Sequence, residues 1–349
     1  MSLASAIRTG EVAELPSRRD EDWRWTDLRG LIRAIPPASP PGDAAALGPG
    51  PFAGLAGEMV VVLNGRRLSG QGTLAIPAGA ARVLELRHVS QADATAHAAE
   101  LAIELAPGAV LTLLETHEGP GAAYVADTAL DLRLGEGARL ERIVLIDEAA
   151  DAVVVDSAEV TLTPRAAFAQ TVLTVGAKRQ RVQTRVRHPG GGAGLRLDGL
   201  YLPSGARQAD LTTEVLHRGV DGTTAQLTKG AVRGQARGVF QGRIVVEEGA
   251  DRTDARMGHH ALILSDKAEV DAKPELLIHA DDVACAHGNT VGALDEEALF
   301  YAEQRGVPKA EARAMLTEAF LIEVVDRIEH EAAREVARAW VAERLRGAE

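Results

Sequence analysis

From about Glu58 to Ala284, short apolar runs alternate with glycine-containing turns: MVVVLNG, AVLTLLETHEG, TALDLRLGEGARLERIVLID, AVVVDSAEVTL, FAQTVLTVG, LRLDGLYLPSG, RGVFQGRIVVEEGA and HHALILSDKAEV. Many of these runs repeat with period two, as at Leu111 and Leu113 or Ile244 and Val246. That alternation sends successive side chains to opposite faces of a strand. No strong amphipathic helix interrupts the stretch, which restricts it to a sandwich, a barrel or a β-solenoid. A turn with Ala at its second position precedes one strand after another: Gly108-Ala109, Gly137-Ala138, Arg165-Ala166, Gly205-Ala206, Gly249-Ala250 and Lys267-Ala268. The intervals are 29, 28, 40, 44 and 18 residues, an irregular repeat of the kind stacked coils produce. The expected fold is therefore mainly β, a β-helix.

The flanks read differently. Residues 1 to about 35 are charged, and Ile7, Trp23, Trp25, Leu28, Leu31 and Ile32 supply an apolar side. Trp25, Leu28 and Ile32 fall on one helical face, so a helix is expected there. Pro36 to Pro51, PPASPPGDAAALGPGP, is too rich in Pro and Gly for a regular element and reads as a linker or mobile loop. Beyond Gly292, Asp295 suits an N-cap, with Leu294 and Leu299 placed for a hydrophobic staple. Gly306 stops that helix and Pro308 starts the next. Two helices are expected between Pro308 and Leu345, with Phe320, Val324 and Ile328 as the cleaner apolar stripe. Such a face needs a cover, either its own β body or a partner subunit, and the pattern leaves both open. The resulting division is an N-terminal helical region with linker at 1–57, a β-helix core at 58–292 and a C-terminal helical region at 293–349.

Composition narrows the function. Of 349 residues 46% are hydrophobic but only 3% aromatic, so the core must be Leu, Val, Ile and Ala, which suits coils that bury their inner faces on one another. A net charge of −12 argues against a nucleic-acid binder. No apolar run approaches the ~18 residues that cross a membrane, and MSLASAIRTGEVAELP lacks the apolar core of a signal peptide. A soluble cytoplasmic protein is expected. The single cysteine, Cys285, can form neither an internal disulfide nor a CxxC motif.

Taken alone, Cys285 reads as a thiol packed in the solenoid and His287 as an imidazole bonding a turn. His259-His260 are adjacent, so in a strand their rings face opposite sides and cannot chelate one metal together. His279, Asp281 and Asp282 read as a turn. The run Gly190 to Gly194 lacks the Lys-Ser/Thr of a phosphate-binding loop. Ser265-Asp266-Lys267 lacks the partner motifs of a β-lactamase. Nothing in the chain reads as an ATP site.

The segment Leu262 to Gly306, LILSDKAEVDAKPELLIHADDVACAHGNTVGALDEEALFYAEQRG, resembles the C-terminal signature of the SufB/SufD family. Gly238 to Gly242, Asp254-Ala255 and the EDWRWTDL near the N-terminus are similar to it as well. Cys285-Ala286-His287-Gly288 matches the SufD form; a SufB form would carry Glu-His-Glu-Ala and several more cysteines. The resemblance implies a right-handed parallel β-helix with helical regions at both ends. It implies a non-catalytic scaffold subunit of iron–sulfur cluster assembly, pairing with SufB through the β-helices and binding the ATPase SufC through the C-terminal helices. It places a transient cluster at the SufB interface, with His287 as the ligand from this chain and Cys285 as its neighbour. Thiolate and imidazole both suit iron, and in an extended segment the two side chains share a face. One thiol cannot hold a four-cysteine cluster, which fits a shared site. Met257 stands where the family often has Gln. Two alternatives are a polysaccharide-acting β-helix enzyme, disfavoured by only three Trp, three Tyr and five Phe, and a SufB-like homodimeric scaffold, disfavoured by the cysteine count.

Overall fold

The computed structural model describes residues 2–70 and 72–346; positions 347–349 of the expected C-terminal region lie outside them. Along the chain, strands alternate between two sheets. The ten-stranded sheet takes Glu58–Leu63, Arg66–Arg67, Ala81–Val89, Val110–Glu118, Arg139–Asp147, Ala167–Thr174, Gly194–Tyr201, Thr223–Val232, Thr253–Ile263 and Val283–Gly292. The eight-stranded sheet takes Leu74–Ile76, Ala96–Leu105, Val125–Leu134, Val153–Thr161, Arg179–His188, Gln208–His217, Arg237–Val246 and Glu269–Ile278. Neighbouring strands pair in parallel, except for the short Arg66–Arg67 hairpin that closes the N-terminal edge. This is the β-solenoid that the strand pattern predicts.

The repeat is more regular than its turns suggest. Ala81, Val110, Arg139, Ala167, Gly194, Thr223, Asp254 and Ala284 stand in register, so successive coils are 27 to 31 residues long. The uneven turn intervals arise because Gly205 and Lys267 precede strands of the eight-stranded sheet, whereas Gly108, Gly137, Arg165 and Gly249 precede strands of the other. Ala109, Ala138, Ala166 and Ala250 are fully buried at the coil corners, while Ala206 is exposed. A small side chain at each corner lets the chain turn inward without displacing the core.

Inward positions alternate as expected. Leu111, Leu113, Leu132, Leu134, Leu140, Phe168, Leu195, Phe240, Ile244 and Val246 belong to one continuous buried cluster. Runs such as Ile143 to Ile146 are buried at every position, because the ten-stranded sheet is covered on its outer face as well. The cover is the C-terminal helices α3 (Lys309–Val325) and α4 (Glu331–Arg346). Leu321, Val324, Val325, Ile328, Ala337, Trp340 and Val341 pack on Leu114, Ile143, Leu145, Leu173, Leu200 and Leu227. Each fully buried aliphatic side chain contributes about 1.5–3 kcal/mol. The chain's own β body therefore covers most of the stripe that the sequence left open. Phe320, Val324 and Ile328 lie where the pattern placed them, and the break between the two helices falls at 326–330. The preceding helix α2 (Glu296–Gln304) is capped by Asp295, which accepts from the Glu297 and Ala298 N–H groups, and Gly306 (φ 88°) follows it.

The N-terminal region departs from expectation. Among the described residues its only α-helix is Leu3–Thr9; residues 24–35 form turns, not a helix. Leu28 and Ile32 are buried as predicted, but the carbonyls nearby serve other donors. Arg181 donates to the Asp22 carbonyl at 2.6 Å and Gln208 to the Trp25 carbonyl at 3.0 Å. These polar groups on the outer face of the eight-stranded sheet need acceptors, and an irregular backbone supplies them. The Pro-rich stretch holds no strand and only a short 3₁₀ turn at Ala44–Ala46, yet it is pinned, against the expectation of a mobile loop. Ser39 bonds Thr95 and His97, Asn64 donates to the Pro40 carbonyl, and Phe52 at its end is fully buried.

Candidate functional site

The last coil ends in two strands, Glu269–Ile278 and Val283–Gly292, each outermost in its sheet. Their inward side chains stand in register over the preceding coil. Cys285 lies over Ala255, His287 over Met257, Asn289 over His259 and Val291 over Ala261. On the other sheet Pro274 lies over Gly242, Leu276 over Ile244 and Ile278 over Val246. Every residue of the lower layer is buried. In the upper layer Cys285 and Leu276 are half-buried, while Ile278 and Val291 are 41% and 42% exposed. The end face is thus a cross-section of the hydrophobic core, left uncovered among the described residues. Pro274 is tolerated there because an outermost strand need not satisfy a ladder on both sides.

Cys285 and His287 share that face, as the spacing predicts for an extended segment. Burial pushes the Cys285 thiol up, more than a hydrogen bond from the Ala255 backbone lowers it. It is a neutral thiol at pH 7, and a metal would have to displace its proton. His287 is exposed and its ring makes no hydrogen bond among the described residues, so both ring nitrogens are free to ligate. Met257 beneath it is 3% exposed and apolar, and offers the imidazole no polar partner.

The remaining candidates separate cleanly. His259 points inward and is fully buried, whereas His260 faces out and bonds Thr290 at 2.7 Å. His259 bonds Asn289 Oδ1 through Nδ1 at 2.7 Å and the Tyr201 hydroxyl through Nε2 at 2.8 Å. Its ring stacks on Phe240 with centroids 4.6 Å apart and planes 1° from parallel. Burial lowers its pKa to about 4. His279, Asp281 and Asp282 are exposed in the turn joining the last two strands. Gly190, Gly191 and Gly192 adopt φ of 73°, 61° and 72° in a tight turn pressed against Gly219. Ser265 lies in another turn and accepts from the Gly234 N–H.

The sequence reading missed a buried ionic network in the first coils. Arg142 donates twice to Glu115, at 2.7 and 2.8 Å, and once to Gln170 at 2.6 Å. His117 bridges Glu115 at 2.8 Å and Asp156 at 3.0 Å, with the His88 ring stacked on it at 4.6 Å. Burial pushes the Glu115 carboxyl up, but Arg142 and His117 together outweigh it and hold it well below the usual carboxylate range. Burial lowers His117, yet Asp156 and Glu115 raise it to about 10. Donor atoms of His88, Glu115 and His117, and of His117, Glu148 and Asp156, converge closely enough to hold an ion. The Arg142 guanidinium and the His117 imidazolium already supply the positive charge, so the network balances without one. Parity was the available signal: Glu115 and His117 continue the inward series of Leu111 and Leu113.

Residues 88–320 match the family described as SUF system FeS cluster assembly, SufBD core domain. The chain is 32% identical over 274 residues to the iron–sulfur cluster assembly protein SufD of Escherichia coli, covering 76% of this chain and 64% of that one. It is 36% identical over 124 residues to SufD of Bacillus subtilis, covering 36% and 28%. An iron–sulfur cluster assembly SufBD family protein of Mycobacterium tuberculosis is 27% identical over 350 residues, covering 90% and 85%. The matched regions span less than two thirds of the two SufD relatives. The family match, over a region that runs from the first coils through the end face into α3, shows that this chain belongs to the SufBD core family of the SUF iron–sulfur cluster assembly system.

Proposed function

We propose that this chain is a scaffold subunit of iron–sulfur cluster assembly that carries no ATPase site of its own. It pairs with a SufB-type subunit through the open end face, and it binds the SufC ATPase through its C-terminal helices. His287 and, beside it, Cys285 are the side chains it lends to a transient cluster completed by the partner. One observation carries the reading. The face that exposes Cys285 and His287 is also an uncovered core section bounded by two outermost strands, which suits a second β-solenoid docked end to end. A ligand set of one thiol and one imidazole cannot complete a cluster, and a docked partner brings the rest. Phe300, Tyr301 and Met315, on α2 and α3, are 63%, 60% and 54% exposed, large apolar side chains open to solvent that suit the second contact.

Anaerobic co-expression with the SufB and SufC of the same organism, purification through a tag on this chain and native mass spectrometry test the reading. A complex of one SufB, one copy of this chain and two SufC is expected. Recovery of this chain alone or as a homodimer, beside well-folded partners, overturns it.

A further inference from the structure

We infer that Asn289 is a positioning residue of the end-face site, offering its amide N–H groups to sulfur atoms of a cluster held at His287 and oriented for that by His259 and Tyr201. The inference rests on the proposed function. Cys285, His287 and Asn289 lie at successive inward positions of the outermost strand, about 6.6 Å apart along it. An amide two residues from His287 therefore reaches a group bound there. Asn289 is exposed, but it is not free to rotate. Its Oδ1 is held by His259 Nδ1, and His259 Nε2 is held by the Tyr201 hydroxyl. The His259 ring is clamped flat on Phe240 in the fully buried layer beneath.

The direction of each hydrogen bond follows from the count of protons. A buried neutral imidazole has one N–H. With Asn289 Oδ1 accepting from Nδ1, the Nε2 nitrogen is an acceptor and the Tyr201 hydroxyl must donate to it. The carboxamide oxygen is then committed to the core, which turns the NH₂ group toward the open face. A buried histidine that only needed satisfaction would be served by any acceptor. This chain of three instead transmits a fixed orientation from the core to the one polar, non-ligating side chain in the row. Hydrogen bonds to the sulfurs of an iron–sulfur cluster tune its potential and stability.

The test uses the complex co-purified with SufB and SufC, with clusters assembled anaerobically. Native mass spectrometry and thermal melting report assembly and fold; visible absorption, electron paramagnetic resonance and the reduction potential report the cluster. Asn289→Ala is expected to leave the stoichiometry and melting temperature unchanged, shift the spectrum and move the potential to more negative values. Tyr201→Phe keeps the ring, removes only the donor to His259, and is expected to move the potential the same way by less. An Asn289→Ala cluster with unchanged spectrum and potential, beside a His287→Ala complex that forms none, overturns the inference alone. A His287→Ala complex that still assembles the parent cluster overturns the reading on which it rests.

Discussion

His287 stands in register directly above Met257, and the two are opposites: the thioether is 3% exposed, the imidazole above it open to solvent. The same inner row descends through Gln226, Leu197, Gln170 and Arg142, so it is not uniformly apolar. Met257 is the apolar floor on which the exposed ring rests, packed close to Gly242. Met257→Ala is expected to open a cavity under His287 and cost about 2–5 kcal/mol of stability. Urea unfolding of the isolated chain reads the loss; a cost below about 1 kcal/mol means the layer collapses to refill the space.

Partial burial raises the Cys285 thiol. Only the thiolate reacts, so alkylation of the folded chain at pH 7 is expected to be slower than that of the same chain in urea. The rate should climb as pH rises past the ordinary thiol range. Cys285 is the chain's one cysteine, so mass spectrometry follows it without ambiguity. Equal rates in the folded and unfolded chain would contradict the environment assigned to it.

Arg142 is the only guanidinium in the buried network, and Glu115 takes two of its hydrogen bonds. Arg142→Met leaves a carboxylate in the core with His117 as its remaining cation. Breaking a buried pair from one side costs about 3–5 kcal/mol. The loss should appear in urea unfolding with the end face unaltered, so partner binding by the folded fraction remains.

How much of this was legible in the sequence depends on which physical rule controlled each segment. Period-two alternation marked the strands as far as HHALILSDKAEV, because strand geometry fixes side-chain direction whatever the partner. Cys285 and His287 on one face followed from that geometry. The openness of the face did not, since no residue of Val283–Gly292 records that a next coil is missing. The helix expected around Trp25, Leu28 and Ile32 failed because acceptor demand from Arg181 and Gln208, far along the chain, overrode a local pattern. The pinned Pro-rich stretch failed the same way: Ser39 and Phe52 find partners only after folding. The ionic network was readable from parity at Glu115 and His117, but not from spacing, because Asp156 and Arg142 arrive from other coils.

The C-terminal patch yields a separable prediction. Phe300 and Tyr301 lie on α2, beside Leu299, whose side chain is buried. Replacing both by Ser removes exposed apolar surface and leaves the buried contact intact. The double variant is expected to keep SufB in pull-downs and lose most of its SufC, with an unchanged melting temperature. Loss of both partners together would place the two contacts on one surface.

Four buried histidines and the half-buried His97 shape the acid limb of the stability profile. Burial lowers His88 and His217 to about 3, and His97, His188 and His259 to about 4. The unfolded chain binds protons at these rings near pH 6.5, while the fold refuses them until far lower. Their contribution is therefore complete above pH 6.5 and is lost as pH falls toward 3–4. Buried acids oppose them: burial raises Asp127 and Glu148 to about 7 and Asp198 to about 6, and it raises Glu85 and Glu141 as well. Those contributions are present below the ordinary carboxyl range and lost as pH rises through 6–7. His117, held up at about 10, likewise contributes below pH 6.5 and loses that contribution as pH climbs through 10. Between pH 4.5 and 6.5 the protons refused by the histidines outweigh those retained by the acids, because the histidine shifts are larger in sum, so stability rises with pH; above 6.5 the histidine set is saturated and the retained protons make it fall. The urea midpoint is expected to peak near pH 6.5 and to be lower at both pH 4.5 and pH 9. A midpoint that climbed steadily from pH 6.5 to pH 9 would mean that His117 does not hold its second proton between Glu115 and Asp156.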